Sequence, residues 1–226
     1  MMPRQNSAID REYWQRQLHD GLLQLGLALS PEKQTRLLDY LALLEKWNRT
    51  FNLTAVRDPQ RMVSRQLLDS LSILPWIRGP RILDVGTGAG LPGIPLAIAL
   101  PEYRFVLLDS NGKKIRFLRQ AIVQLGLDNV RVHQGRVESL SDPEGFDTIV
   151  SRAFAELGDM LALTRHLRAP AGIWAAMKSG LAELEPERIP ADMVHRVEPL
   201  VVPAESGERN LVLIGPEETL VHGQPA

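Results

Sequence analysis

The chain has no cysteine among its 226 residues. Disulfides, cysteine-ligated zinc and cysteine-held iron–sulfur clusters are therefore excluded, and so is a thiol nucleophile. Aromatic residues are scarce, at 5%, which argues against a sheet surface that stacks successive RNA bases. Neither sign of charge is in excess: the net charge is −1. A nucleic-acid partner must then be met by a local basic patch, because no global positive field exists to attract it. Long hydrophobic runs are also missing. The longest, Leu91 to Pro101, carries three prolines and is too short to span a bilayer. The opening MMPRQNSAIDRE is polar and has no apolar core, unlike a secretory signal. These absences lead to the expectation of a cytoplasmic protein without a membrane segment. No internal repeat or low-complexity tract interrupts the chain.

What is present divides near residue 78. Upstream, Trp14, Leu18, Leu22 and Leu25 recur at helical spacing. A second helix opens at Ser30-Pro31-Glu32, which supplies an N-cap, a proline at the first helical position and an acid in the first turn. It carries Leu37, Leu41 and Leu44 on one face. WNRTFNLTAVRDP (Trp47 to Pro59) reads as a loop, and a third helix is expected from about Gln60 to Trp76. After Gly79-Pro80 the pattern becomes strand-like, at 81–85, 104–109, 129–134, 146–151, 172–178, 194–202 and 209–215. The first five runs are spaced for βαβ units around a parallel sheet. The last two are joined by the short turn PAESGE and are expected to pair antiparallel. The expected fold is α/β: a Rossmann-like class I methyltransferase sheet of seven mostly parallel strands with an antiparallel C-terminal hairpin. The expected organisation is a helical extension over 1–78 and a cofactor-binding domain over 79–226, forming one compact unit.

DVGTGAG (Asp84 to Gly90) follows the first strand. Gly86, Gly88 and Gly90 permit positive φ and close approach of backbone to ligand, and a helix N-terminus beyond them suits an anionic or carboxylate-bearing ligand. Asp109 ends the next strand, about 20 residues on, where an acid can accept hydrogen bonds from ribose hydroxyls. A dinucleotide fingerprint requires a third glycine where this chain has Leu91. GxGxG preceded by Asp84 points instead to S-adenosylmethionine, ahead of NAD.

Absences also narrow the acceptor. Methylation at a pyrimidine C5 usually needs a cysteine, and exocyclic amines usually need an Asn/Asp-Pro-Pro-aromatic motif where this chain reads SRAF (Ser151 to Phe154). A ring nitrogen with an exposed lone pair needs no base, only proximity and in-line alignment. No residue is accordingly assigned as general base or nucleophile, and no metal is expected. Two basic clusters stand out: Arg49, Arg57, Arg61 and Arg65 against a single Asp58, and Lys113, Lys114, Arg116 and Arg119 with no acid. In the second, Ile115, Leu118, Ile122 and Leu125 form the buried stripe, with Lys113 and Arg116 facing away from it.

The chain resembles the bacterial 16S ribosomal RNA guanine-N7 methyltransferases, the RsmG or GidB family. The matching segments are WNRTFNLTAVRDP, LLDSL (67–71), ILDVGTGAGLPGIPLAI, LLDSNGKKIRFLRQ, GRVESL, VSRAF (150–154), MKSG (177–180) and GERNLVLI (207–214). The resemblance implies methyl transfer to N7 of a guanine in the small-subunit 530 loop, conventionally guanine 527, with 16S rRNA or the small ribosomal subunit as partner. It implies that Gly86 and Leu91 contact the cofactor, Asp109 takes the ribose, Val137 and Glu138 border the adenine, and Arg152 closes the pocket. Arg136, Lys178 and Arg209 would face RNA, and Asn52 would border the target base. One departure is Gln66, where many relatives have histidine. His19, His133, His166, His195 and His222 have no catalytic context. A small-molecule methyltransferase on the same fold, and a ribosome-assembly protein that uses the cofactor structurally, remain open alternatives at this stage.

Overall fold

A computed structural model of the chain describes residues 11–152, 156–180 and 188–221. Two helices come first, α1 (Arg11–Gln24) and α2 (Pro31–Phe51). The Ser30 hydroxyl accepts from the Lys33 amide and Pro31 sits in the first turn, so the sequence signals start α2 where expected. Its end differs from expectation. Trp47 to Phe51, anticipated as loop, are the last turn of the helix. Trp47 is held there by ring contacts with Phe51 (5.1 Å) and Phe117 (5.7 Å). Asn52 then stops the helix with a left-handed backbone, φ 51°.

The third expected helix is broken into short pieces: a 3-10 turn (Pro59–Arg61), a π-helical stretch (Val63–Leu68), one α turn, α3 (Asp69–Leu71), and a second 3-10 turn (Leu74–Trp76). Polar side chains explain much of this. Ser64, Gln66, Asp69 and Ser70 are buried within an apolar pattern. The Asp69 amide reaches back five residues to the Ser64 carbonyl, and the Ser70 hydroxyl takes the Gln66 carbonyl. Wide π turns of this kind concentrate at functional sites.

The rest alternates strands and helices: β1 (Arg81–Val85), α4 (Gly93–Ala99), β2 (Arg104–Asp109), α5 (Gly112–Leu125), β3 (Val130–Gln134), β4 (Phe146–Ser151), α6 (Leu157–Thr164), β5 (Arg168–Lys178), β6 (Val194–Pro199), β7 (Asn210–Gly215) and α7 (Glu217–Val221). The strands form one sheet in the order β3-β2-β1-β4-β5-β7-β6. The first five are parallel, while β7 runs antiparallel to both β5 and β6. This is the expected Rossmann-like layout. β5 starts four residues earlier than its apolar run, with a register irregularity between Phe146 and Thr148 of β4.

Alternation in the strands feeds two cores. Ile82, Phe105, Leu107, Ile173, Ala175, Leu211 and Leu213 face α2, α4 and α5, whereas Leu83, Val85, Leu108, Trp174, Val212 and Ile214 face α6. The first core is continuous with the N-terminal helices, since Trp14, Leu18, Leu37 and Leu44 belong to it. Trp14 is buried and its indole donates to the Pro59 carbonyl, tying α1 to the irregular segment. Tyr40 of α2, fully buried, donates to the Ala89 carbonyl at 2.8 Å.

That last bond is open to test. Tyr40→Phe leaves the Ala89 carbonyl without its partner in a dry site, a loss of about 1–3 kcal/mol. Urea unfolding should show a lowered midpoint with an unchanged slope. An unshifted midpoint would mean that the carbonyl finds another donor.

Candidate functional site

Strand order reverses between β1 and β4, and ligands in open α/β sheets settle outside the carboxyl ends of strands at such a point. β1 ends there in the glycine loop. The amides of Gly86 and Thr87 both donate to the Leu108 carbonyl, at 2.9 and 3.0 Å, so the loop is hung from β2. Gly86 has φ +69°, and a Cβ built on it meets nothing within 4 Å. Its glycine is thus required by backbone conformation, and the space beside it is free for a ligand.

Asp84 lies beneath this loop, fully buried. Its Oδ2 accepts from the Thr87 hydroxyl at 2.6 Å and from the Gly93 amide at 2.8 Å. The anion at the start of α4 is therefore Asp84 itself, and this helix end is not offered to a ligand. Burial pushes its carboxyl up to about 6, against the opposing effect of its hydrogen bonds and of Arg152. Gly93 is where helix and strand come closest: a Cβ there would lie 2.3 Å from Leu107 and 2.7 Å from Asp84. The close-packing role that a dinucleotide site gives to its third glycine falls here to Gly93, two residues beyond Leu91.

Two cavities meet over the loop. One, of about 380 Å³, is lined by Asp109, Arg136, Val137 and Glu138 together with Gly86. The other, of about 470 Å³, runs from Gly86, Gly88 and Leu91 to Arg152, Lys178 and Arg209. Gly86 and Lys114 line both. Asp109 braces the junction: its Oδ2 accepts from the Gly88 amide at 2.9 Å, its Oδ1 from the Asn111 amide at 2.8 Å, and Lys114 stands 3.6 Å away. An acid at one end, an open glycine in the middle and a polar chamber at the other end fit a nucleoside that bears an amino-acid tail.

The rim of the larger cavity is built from distant segments. Arg152, just past β4, donates to the Arg65 carbonyl (3.1 Å) and to Gln66 Oε1 (3.1 Å), and faces Asp69 at 3.4 Å. Gln66 is fully buried and its Nε2 donates to the Thr54 hydroxyl. Asn48 holds the same loop by accepting from the Thr54 amide. Asp69 is also met by Arg209 at 3.4 Å, and burial raises its carboxyl above the usual range while both arginines oppose the shift. Opposite, Glu205 accepts from Arg61 and Ser64 and pairs with Arg65.

Of the residues singled out from sequence, Gly86, Gly88, Leu91, Arg152, Lys178 and Arg209 share the larger cavity, and Asp109, Val137 and Glu138 share the smaller. Arg136 stands with this second group, away from Lys178 and Arg209. Asp84 and Gly90 line neither cavity; they lie under the loop, Gly90 against Ile94 and Leu118. The Asn52 side chain accepts from Arg57 in a separate small recess at the end of α2, and its neighbours Leu53 to Val56 line the cavity in its place. Lys113 and Arg116 are exposed on α5 and line neither cavity. No histidine among the described residues lines either cavity. Ala153 and Phe154 of SRAF, and His222, lie outside the described residues. Sequence reasoning missed Thr54, Asp69, Glu205 and the positioning role of Gln66. The signal for two of them, Gln66 and Asp69, was a set of polar residues interrupting an otherwise apolar helical pattern.

Comparison with known proteins agrees with this geometry. The family model GidB, rRNA small subunit methyltransferase G, matches residues 33–212. A ribosomal RNA small subunit methyltransferase G of Marinobacter nauticus is 52% identical over 206 residues, covering 91% of this chain and 96% of the relative. Its counterpart in Legionella pneumophila (strain Philadelphia 1) is 56% identical over 178 residues, covering 79% and 85%. Among solved structures, the O-methyltransferase TomG of Streptomyces achromogenes, in complex with SAM, superposes with a TM-score of 0.58 at 20% identity, covering 92% of this chain and 98% of that one. A SAM-dependent methyltransferase of Aquifex aeolicus gives 0.54 at 17% identity, covering 72% and 96%.

The buried acid yields a prediction with a definite sign. Asp84 holds its proton more tightly in the folded protein, to about 6 against an ordinary 3.8. Its contribution to stability is therefore present below about pH 4 and is lost as pH rises through 6. Asp84→Asn keeps an oxygen for Thr87 and Gly93 without the buried charge, so it should gain stability relative to the parent between pH 4 and 7. Asp84→Ala leaves both donors unpaired and should lose about 1–3 kcal/mol for each. Thermal melts across that range decide it, and a parent–Asn difference independent of pH would refute the buried-charge account.

Proposed function

The chain belongs to the rRNA small subunit methyltransferase G family, and on that premise we propose that its two joined cavities hold a methyl donor against N7 of a guanine in small-subunit rRNA. It is an S-adenosylmethionine-dependent rRNA methyltransferase. The donor supplies an electrophilic methyl group on a sulfonium. Everything else in the reaction is positioning by this chain's own residues.

In this reading Asp109 receives the ribose hydroxyls, Val137 and Glu138 border the adenine, and Gly86, Gly88 and Leu91 give the backbone surface beneath the donor. Asp84 and Gly90 shape that surface from below. Arg152, fixed by Gln66, Asp69 and the Arg65 carbonyl, closes the chamber on the acceptor side. A guanine N7 carries no proton, so no base is called for, and the rate follows from proximity and alignment. The observation that carries the proposal is the placement of Arg65, Arg152, Lys178 and Arg209 around a cavity whose floor is the glycine loop. Cations there meet phosphate at the place where the methyl group emerges. Lys113 and Arg116 of α5, and Arg57 beside Asn52, extend the basic surface for a large anionic partner, the 16S rRNA of the small subunit. Residues 1–78 serve in this reading as a helical extension that carries part of the cavity wall, and 79–226 as the cofactor-binding unit. No described helix is long and apolar enough to cross a membrane, in keeping with action on ribosomal RNA in the cytoplasm.

Small subunits from a strain lacking the enzyme should accept tritiated methyl groups at one guanine, at a position that borohydride and aniline then cleave as 7-methylguanosine. Absence of N7 label on 30S particles, naked 16S RNA and assembly intermediates alike would defeat the proposal. Reversing both Lys113 and Arg116 to glutamate should weaken binding to the subunit and flatten its salt dependence by roughly one unit of slope per lost phosphate contact. Cofactor affinity by calorimetry should not change. A small-molecule enzyme would show neither effect.

A further inference from the structure

We propose that Asp69 is the residue that selects guanine, by accepting hydrogen bonds from N1–H and the 2-amino group of the target base; this rests on the guanine-N7 reading above. Guanine is distinguished from other bases by that pair of adjacent donors followed by the O6 acceptor. A carboxylate with free lone pairs answers the donors, and a guanidinium or ammonium answers O6. Two carboxylates line the acceptor cavity among the described residues, Asp69 and Glu205. Glu205 is committed: Oε2 is taken by Arg61 at 2.8 Å and by Arg65 at 3.3 Å, and Oε1 by the Ser64 hydroxyl at 2.9 Å. Asp69 is held more loosely, one oxygen facing Arg152 and the other Arg209, each at 3.4 Å. Charge-assisted bonds of full strength are shorter, at about 2.7–2.9 Å, so both oxygens keep capacity for a ligand.

The order of groups across the cavity matches the order of groups around the base. The Ser151 hydroxyl donates to the Val85 carbonyl at 3.0 Å, one residue before the glycine loop, and Arg152, next in the chain, faces Asp69 at 3.4 Å. Arg152 thus links Asp69 to the start of the loop, and all three line one cavity. A guanine with N1 and the 2-amino group on Asp69 turns O6 toward Arg152 and N7 toward the loop, where the donor is held. The transfer balances without a base. The N7 lone pair forms the new bond to the methyl carbon, the carbon–sulfur pair leaves onto sulfur, and the positive charge passes from sulfur to the purine. A carboxylate on the N1–H edge stabilises that purine charge as it develops, so Asp69 contributes to rate as well as to selection.

The test is a cycle between protein and RNA. Small subunits are assembled with 16S RNA carrying either guanine or inosine at the target; inosine lacks only the 2-amino group. The parent enzyme should methylate inosine on the order of ten- to a hundredfold more slowly, the loss of one hydrogen bond to a charged group. Asp69→Asn should lose a similar factor or more on guanine and much less on inosine, with calorimetric affinity for S-adenosylhomocysteine retained. Equal losses for Asp69→Asn on both substrates would make Asp69 a structural residue and overturn the proposal, and so would a parent enzyme that ignores the change to inosine. This second arm decides the matter even if Asp69→Asn fails to fold. Failure of the parent to place a methyl group on guanine N7 would instead remove the reading beneath it.

Discussion

The glycine loop of this protein depends on one carboxylate that no solvent reaches. Asp84 Oδ2 gathers the Thr87 hydroxyl and the Gly93 amide, so the residues between them are closed into a turn. A fully buried anion is costly unless it is hydrogen-bonded, and two donors on one oxygen only partly offset that cost; the other oxygen has no partner among the described residues. The raised proton affinity of the group follows directly. What the arrangement achieves is rigidity: the backbone of Gly86 and Gly88 is held open toward the cavity by contacts made underneath it. The same contact excludes any residue but glycine at 93, because a Cβ there would press on Asp84 and Leu107 at once.

A second tie brings the N-terminal helices into the site. Tyr40 supports the loop at Ala89, while Asn48 shapes the 53–56 segment that walls the cavity. Gln66 then joins that segment to Arg152 by using both ends of its amide. Parts far apart in sequence are thus linked by buried polar bonds rather than by apolar packing alone. Such networks specify one arrangement when every member is satisfied, and they are expensive when one is not. The glutamine is well suited to the task because it accepts from a guanidinium and donates to a hydroxyl without a protonation choice; a histidine at 66 would make the same link only in a particular tautomer.

The sheet could be read from the sequence because its strands alternate between two apolar cores, and most of their boundaries fell near a glycine, proline or acid. β5 and the end of α2 were misjudged where tertiary contacts override local signals: Trp47 and Phe51 stay helical through ring contacts that a loop-like composition hides. The segment after Pro59 read as one helix because its leucines keep helical spacing. Its π turn comes with buried serine hydroxyls that bond the carbonyls of Arg61, Gln66 and Asp69, an effect periodicity does not register. The glycine-loop half of the candidate site was legible as a motif, since strand, glycines and acid lie within one βαβ unit. In the structure Asp109 stands beside the loop, bonded to the Gly88 amide, whereas Asp84, prominent in the same motif, lies below the loop. The acceptor side was not legible in this way, because it is assembled from the 53–56 loop, the π turn, the end of β4 and the start of β7.

The distribution of charge explains why the acceptor side sets so many arginines beside acids. A sulfonium donor and an RNA acceptor pull the site in opposite directions: phosphate requires cations, and a cationic donor is disfavoured by them. The structure separates these demands by pairing. Arg152 and Arg209 face Asp69, Arg61 and Arg65 face Glu205, and Lys114 faces Asp109. Each cation keeps its donors for a neighbouring phosphate or carbonyl while its field at the donor's methyl group is reduced by an adjacent anion. Pairing also fixes the long side chains, so less rotamer entropy remains to be lost when RNA arrives. On this view the acids in the rim do not blunt an otherwise basic surface. On the proposed placement they allow a cationic donor and a polyanionic acceptor to meet in one site of a chain whose net charge is −1.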